Sequence, residues 1–247
     1  MTLKSPQEIA IMRQAGAITR GALAAAKDAV RPGVTTLAID RIVEDYIRAA
    51  GAVPSFKGYG GFPGSACVSV NDEVVHGIPG DRVLKEGDIV SIDVGAIYKG
   101  FHGDAARTYP VGRISADAQR LIDVTRQCFY EGIRYAKVGY RLGDIGAAIQ
   151  SYAEAAGFSV VRELIGHGVG RNLHEPPDVP NYGVPGRGLR LQQGMTLAVE
   201  PMINAGTRKV RTLEDGWTVV TADGAYSAHY ENSIAITDGE PLILTVM

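Results

Sequence analysis

Residues 88–112 read DIVSIDVGAIYKGFHGDAARTYPVG, and this stretch constrains the chain more than any other. Two apolar, β-forming runs flank a turn, and each carries one acid, Asp93 and Asp104. Ile89, Val90, Ile92 and Val94 favour a strand, and Lys99-Gly100 is a turn signal. With Tyr98-Lys99 as the two-residue centre of the turn, Asp93 falls opposite Asp104. Opposed residues share a face, with Cβ atoms roughly 4.5–5.5 Å apart. Two like charges there repel, and burying an unpaired carboxylate is strongly unfavourable. The conflict resolves through a shared proton, a basic partner or a bound cation, or else through a register shift that sends one acid to solvent.

The rest of the chain can bury such a hairpin. Of its 247 residues, 45% are hydrophobic and 21% charged, which suits one sizeable domain or two small fused ones. The formal net charge is −2 with no run of like charges, so no nucleic-acid or membrane footprint is expected. No apolar run approaches the ~18–20 residues that span a bilayer. The first residues, MTLKSPQEIA, hold no apolar signal core. Cys67 and Cys128 make neither a disulfide framework nor a CxxC, and a reducing cytoplasm is the expectation.

Ser5-Pro6-Gln7-Glu8 is a capping box that opens a helix running to about Val30. A second helix is expected from Thr36 to Ala50, a third from Ser115 to about Lys137, and a fourth from Leu142 to Ala156. Strands follow at Val160–Leu164, Thr196–Val199 and Ser233–Thr237. The second and fourth helices are alike: Ile39 aligns with Ile145, Tyr46 with Tyr152, and Ala49-Ala50-Gly51 with Ala155-Ala156-Gly157. GDIVSID at 87–93 likewise resembles GMTLAVE at 194–200. A duplicated helix-plus-sheet unit is the reading, with halves of about 1–112 and 113–247.

The duplication carries the chemistry. Asp93 corresponds to Glu200, and Glu231 in YENSIAI is the counterpart of Asp104. Asp215-Gly216 is a hairpin signal midway between Glu200 and Glu231, in a ribbon expected to be longer and bulged. Folded face to face, the halves converge four carboxylates. Paired acids can share a proton; four acids with a histidine fit metal better. IGHGVGRNLHEPP supplies His167 and His174, and Gly166, Gly168 and Gly170 allow a close backbone approach. Four oxygen ligands and one nitrogen suit a bridged ion pair about 3.5–4 Å apart. Mn, Fe, Co and Zn all suit such donors.

These motifs resemble those of type I methionine aminopeptidases of the short bacterial kind, over essentially the whole chain. The matching stretches are VVHGIP around His76, DIVSIDVG with Asp93, GFHGDAART with Asp104, GHGVGRNLHEPP, TLAVEPM with Glu200, and YENSIAI with Glu231. The resemblance implies an α/β (α+β) pita-bread fold of the M24 metallopeptidases, two pseudo-symmetric halves around an antiparallel sheet, as one catalytic peptidase domain over 1–247. It implies two divalent ions (Co, Mn, Fe, Zn or Ni) on Asp93, Asp104, His167, Glu200 and Glu231, with Asp104 and Glu231 bridging. A monovalent cation is implied near Asn71, Glu73 and Ser227. Catalysis falls to Glu200 as proton acceptor, His174 as donor to the peptide group and His76 at the substrate. Tyr59, Phe62, Cys67, Leu173 and Trp217 line a methionine pocket; an aromatic residue is usual at the position of Leu173, which departs from the pattern. The implied partners are N-terminal methionine peptides and nascent chains, met by a cytoplasmic monomer with transient ribosome contact.

Two other readings compete. A proline-specific peptidase of the same fold is expected to carry a large N-terminal domain and further histidines, whereas the first helix here begins at Ser5-Pro6 and the chain has five histidines. A non-enzymatic binding module on this fold is expected to lose ligands, whereas all five positions are filled. His102 and His229 are left without a role, either at the surface or behind the site.

Overall fold

The computed structural model describes residues 2–246. Four helices form where the apolar periodicity places them: α1 (Pro6–Ala29), α2 (Thr36–Ala49), α3 (Ala116–Ile133) and α4 (Leu142–Ala155). Ser5, Thr35 and Ser115 cap the first three, each hydroxyl accepting the N–H of the residue three further on. Helix α3 stops at Ile133, short of Lys137, because Tyr135 and Ala136 donate back to Gly132 and Ile133 and tighten the chain into a turn. The strand expected over Val160–Leu164 is confined to Ser159–Val160.

Ile89–Tyr98 and Phe101–Pro110 form the expected hairpin, but in a different register. Lys99 and Gly100 are the turn centre, with φ of 49° and 79°. A two-residue turn with positive φ at both positions favours glycine second and resists an aromatic residue first, which moves the centre off Tyr98-Lys99. Asp93 therefore pairs with Ala106, and Asp104 with Gly95. The slip is by two residues, so both acids keep one face, diagonal rather than opposed.

The second ribbon follows its expected register throughout. Asn232 pairs with Val199, Met202 with His229, Val210 with Thr221 and Thr212 with Val219, all centred on the Asp215-Gly216 turn. The anticipated bulge is absent from these pairings. The irregularity lies instead where Val219–Thr221 meets Glu73–Val75.

The two ribbons meet along one antiparallel seam. Glu231 N–H donates to Ala106 O at 2.9 Å. On one side of that rung, the Ser233 hydroxyl accepts from Asp104 N–H at 3.0 Å and donates to Asp104 O at 2.9 Å. On the other, the Thr108 hydroxyl bonds both N–H and C=O of His229. Arg107 clamps the seam by donating to Ala106 O, Glu231 O and Asn232 Oδ1 while stacking over Tyr230.

Each helix pair covers the back of its own ribbon. Leu23, Ile39, Val43 and Ile47 pack on Val90, Ile92 and Val94; Leu121, Phe129, Ile145 and Ile149 pack on Leu197, Val199 and Ile234. Helix α1 lies directly on the first hairpin, since a Cβ on Gly103 would come within 2.7 Å of Gly16 N. The apolar faces are thus spent outward, and the acids are left facing each other across the seam.

Candidate metal centre and substrate pocket

The register delivers Asp93, Asp104, Glu200 and Glu231 to the floor of a cavity of about 210 Å³. Asp104 and Glu231 are fully enclosed; Asp93 and Glu200 keep a small edge toward the cavity. Asp93 Oδ1, Asp104 Oδ1 and Glu231 Oε1 are buried with no hydrogen-bond donor. Burial raises all four carboxyls above the usual range, and at Asp104, Glu200 and Glu231 the neighbouring acids raise them further.

His167 completes this group. Its Nδ1 lies 2.8 Å from Gly168 O, an acceptor only, so the proton sits on Nδ1. The Nε2 lone pair then points to Asp104 Oδ2 at 3.8 Å and Glu200 Oε1 at 3.5 Å. Burial pushes this imidazole down to about 4, keeping it neutral. A backbone carbonyl on the far nitrogen is the usual way a ligand histidine is oriented. Gly166 and Gly168 make the placement possible: a Cβ would sit 2.3 Å from Ala198 O at the first and 2.6 Å from Pro176 O at the second. The close approach foreseen for these glycines is to neighbouring backbone.

A buried set of four acids and a neutral imidazole, with orphaned oxygens turned inward, fits divalent cations and little else. Ligand atoms of Asp104, His167 and Glu231 lie within 4.8 Å of one another, and so do those of Glu200, His229 and Glu231.

The rim is of different material. His174 packs its ring 4.2 Å from that of His167, and its Nδ1 lies 2.8 Å from the Tyr59 hydroxyl. His76 faces Trp217 edge-on and has a left-handed backbone with φ of 59°. Such a conformation costs about 1–3 kcal/mol and tends to mark functional positions. Burial lowers the pKa of both rim histidines. Phe62, Cys67 and Leu173 form one apolar cluster with Phe56, against which Trp217 packs. Cys67 pairs with Asp93, so the pocket wall and the acidic floor share a strand boundary. Burial and the nearby acids hold its thiol well up, leaving an inert apolar wall.

The model of metallopeptidase family M24 matches residues 10–238. The chain belongs to that family. The family M24 relatives include a methionine aminopeptidase of Clostridium perfringens, 57% identical, covering 99% of this chain and 98% of that protein. Methionine aminopeptidase 1 of Bacillus subtilis is 56% identical, with 98% of each covered. The solved methionine aminopeptidase of Thermotoga maritima superposes with a TM-score of 0.98 at 47% identity, covering each chain completely. A prolidase from Pyrococcus furiosus, at 22% identity and a TM-score of 0.80, shares the fold alone. The architecture is the pita-bread fold of family M24, in its mixed helix-and-sheet form.

All the expected site residues except Asn71, Glu73 and Ser227 line this one cavity. Ser227 N–H donates to Asn71 O, but the Glu73 carboxylate is turned to Val70 N–H and Arg82. Neither unassigned histidine is at the surface. His102 is buried on Ser55, and His229 is buried behind Glu200. Sequence reasoning missed His229 and Arg107. The signal for His229 was its spacing, two residues before Glu231, whose carboxylate it approaches to 3.9 Å.

Proposed function

We propose that this chain is a metal-dependent aminopeptidase that removes an N-terminal methionine from peptides and nascent chains when the second residue is small. The convergence of four buried carboxyls and the lone pair of His167 on one cavity, closed on one side by apolar side chains, carries this reading. Asp93, Asp104, His167, Glu200 and Glu231 would hold two divalent ions, which supply Lewis acidity and an activated water. Glu200 accepts the proton of the attacking water on its carboxylate and passes it on. His174 donates from Nε2 to the peptide group; that needs Nδ1 as acceptor, so the Tyr59 hydroxyl donates to it. His76 holds the following peptide. Phe62, Cys67, Leu173 and Trp217 receive the thioether, and the neighbouring rim leaves room for a small second side chain. The substrate's free α-amine meets the acidic floor, which restricts cleavage to the first bond.

Both halves act as one catalytic domain, derived from a duplicated unit. No helix among the described residues is long and apolar enough to cross a membrane; we place the enzyme in the cytoplasm as a monomer near ribosomes. The metal identities stay within Co, Mn, Fe, Zn and Ni, and a monovalent cation on the Asn71 and Ser227 backbone would brace the ribbon.

The test is a metal-stripped sample reloaded with manganese or cobalt and offered Met-Ala-Ser, Met-Lys-Ser and Ala-Pro-Ser. Met-Ala-Ser should be cleaved fastest, and only after reloading. Fastest cleavage of Ala-Pro-Ser would assign the chain to the proline-specific peptidases instead.

A further inference from the structure

His174 must meet the peptide group accurately, yet it stands on a connection. Residues 169–174 join the strands Gly166–Gly168 and Glu175–Val179. Leu173 is buried in the pocket wall, and His174 stands open at the rim. The start of the connection is tied to the first hairpin, where Gly170 O accepts the His102 N–H at 2.8 Å. Its far end is held from the opposite end of the sequence. Lys4, just before the capped start of α1, is 7% exposed, and its ammonium pairs with Oε2 of Glu175, the residue directly after His174. The other oxygen, Oε1, accepts the Asn172 N–H at 3.1 Å. One carboxylate thus grips the chain on both sides of Leu173 and His174. Burial works against its charge, but Lys4 and the Asn172 N–H hold the carboxyl below its usual range.

Lys4 is itself fixed. Its N–H donates to Gly194 O at 2.7 Å, and its ammonium reaches Thr2 O at 3.2 Å. Gly170, the third glycine of the GHGVG motif, makes room for the pair: a Cβ there would fall 2.4 Å from Lys4 Cε and 2.7 Å from Glu175 Oε1. A second cavity, of about 220 Å³, is bordered by Thr2, Lys4, Phe101, Arg171, Asn172 and Glu175, so the connection has space to shift once the pair is broken. The neighbouring pair of Arg171 with Glu8 is exposed and contributes little. The Lys4–Glu175 pair is enclosed, and losing one partner would leave the other charge buried alone.

We propose that Lys4 is a positioning residue: through Glu175 it fixes the connection that presents Leu173 and His174, so that the segment before α1 sets the reach of His174 Nε2 toward the peptide group. The inference rests on the role given to His174 above.

The test uses the full chain reloaded with manganese, with Met-Ala-Ser as substrate. Lys4→Met combined with Glu175→Gln removes the pair without leaving a buried charge alone. It should lower kcat ~10-fold or more, because a misplacement on the order of 1 Å can cost 10²-fold. KM should stay within about twofold of wild type, as for a contact made only in the transition state, and bound manganese should be unchanged. Placed on His174→Ala, the same two changes should lower kcat by less than ~2-fold further, since residues acting through one another are not additive. Hydrogen exchange should rise across residues 169–175 and stay at the wild-type rate across α3 and α4. Should that protein not fold, Glu175→Gln alone, which keeps an acceptor for Asn172, is read through the same cycle. Losses that multiply in the His174→Ala background, unchanged exchange over residues 169–175, or loss of manganese would overturn the positioning role and leave the aminopeptidase reading intact. Wild-type protein that binds manganese and cleaves no methionine peptide would overturn both.

Discussion

The floor and the rim of this cavity are made in opposite ways. Asp104 and Glu231 stand at the seam of the two ribbons, and Asp93 and Glu200 on the far side of each ribbon from it, so register determines which side chains meet. The rim is drawn mostly from connections: Tyr59 and Phe62 from a glycine-rich loop, Leu173 and His174 from the segment before Glu175, Trp217 from the turn at the tip of the second ribbon, with Cys67 the exception on the strand Ala66–Val70. The floor is enclosed and its oxygens lack donors, whereas Tyr59 is 44% exposed and finds its partner in another rim residue. A strongly bound charge can be held only by donors that do not move, so the metal chemistry sits on strands. A side chain that enters and leaves needs walls that can adjust, so recognition sits on loops.

The largest expected effect breaks the floor. Asp104→Asn should lose the ion pair and turnover together, with metal affinity reduced by ~100-fold or more, since even partners behind a ligand cost 10–100-fold. Elemental analysis after gel filtration, beside the peptide assay, reads both. Retention of two tightly held ions would show that the seam acids are not the ligands.

A smaller effect is expected at the rim. His174→Ala should lower kcat by roughly 10²-fold, the scale of a lost transition-state donor. Tyr59→Phe removes only the hydroxyl on Nδ1, worth about 1 kcal/mol or roughly fivefold in kcat. Both variants should keep bound metal at the wild-type level. Metal loss from either one would erase the division between floor and rim.

The smallest effect is a slope. In metal-stripped protein the floor carboxyls have raised pKa values, so the folded chain holds protons that the unfolded chain has released. Their stabilisation is complete below the ordinary carboxylate range and is lost as pH rises through the raised values. The buried histidines carry the opposite sign: lowered pKa values make their contribution present above about 6.5 and lost as pH falls below it. Above neutrality the histidines are neutral in both states, and the raised acids set the slope, joined toward pH 9 by the raised thiols of Cys67 and Cys128, which act with the same sign. The Tm of stripped protein should therefore fall between about pH 7 and pH 9, and saturating manganese should flatten that fall. A rising Tm over that range would mean that the floor is already ionised without metal.

Much of this was legible in the chain. Capping residues placed the starts of the first and third helices, because a cap is a local hydrogen bond between neighbours in sequence. Duplicated spacing paired Asp93 with Glu200. The Asp215-Gly216 turn put Glu231 opposite Glu200, because a single turn propagates one register along a whole ribbon. The first hairpin was read two residues out of register, since the decision between Tyr98-Lys99 and Lys99-Gly100 rests on which residues tolerate positive φ. The error preserved the face and so did no harm to the chemistry.

What the sequence alone determined, then, is which residues share a strand face and where each ribbon turns, both consequences of local geometry with a period of two. Which nitrogen of His167 carries the proton was decided by the fold, because Gly168 O is brought to Nδ1 only in the folded chain. The hydroxyl on His174 comes from Tyr59, far away in sequence. The seam that sets Asp104 beside Ser233 and Thr108 beside His229 joins strands that no turn connects. His229 shows the difference most plainly. Its spacing from Glu231 is written in the chain, but an imidazole nitrogen without a partner is a property of everything around it, and that exists only once both halves have closed.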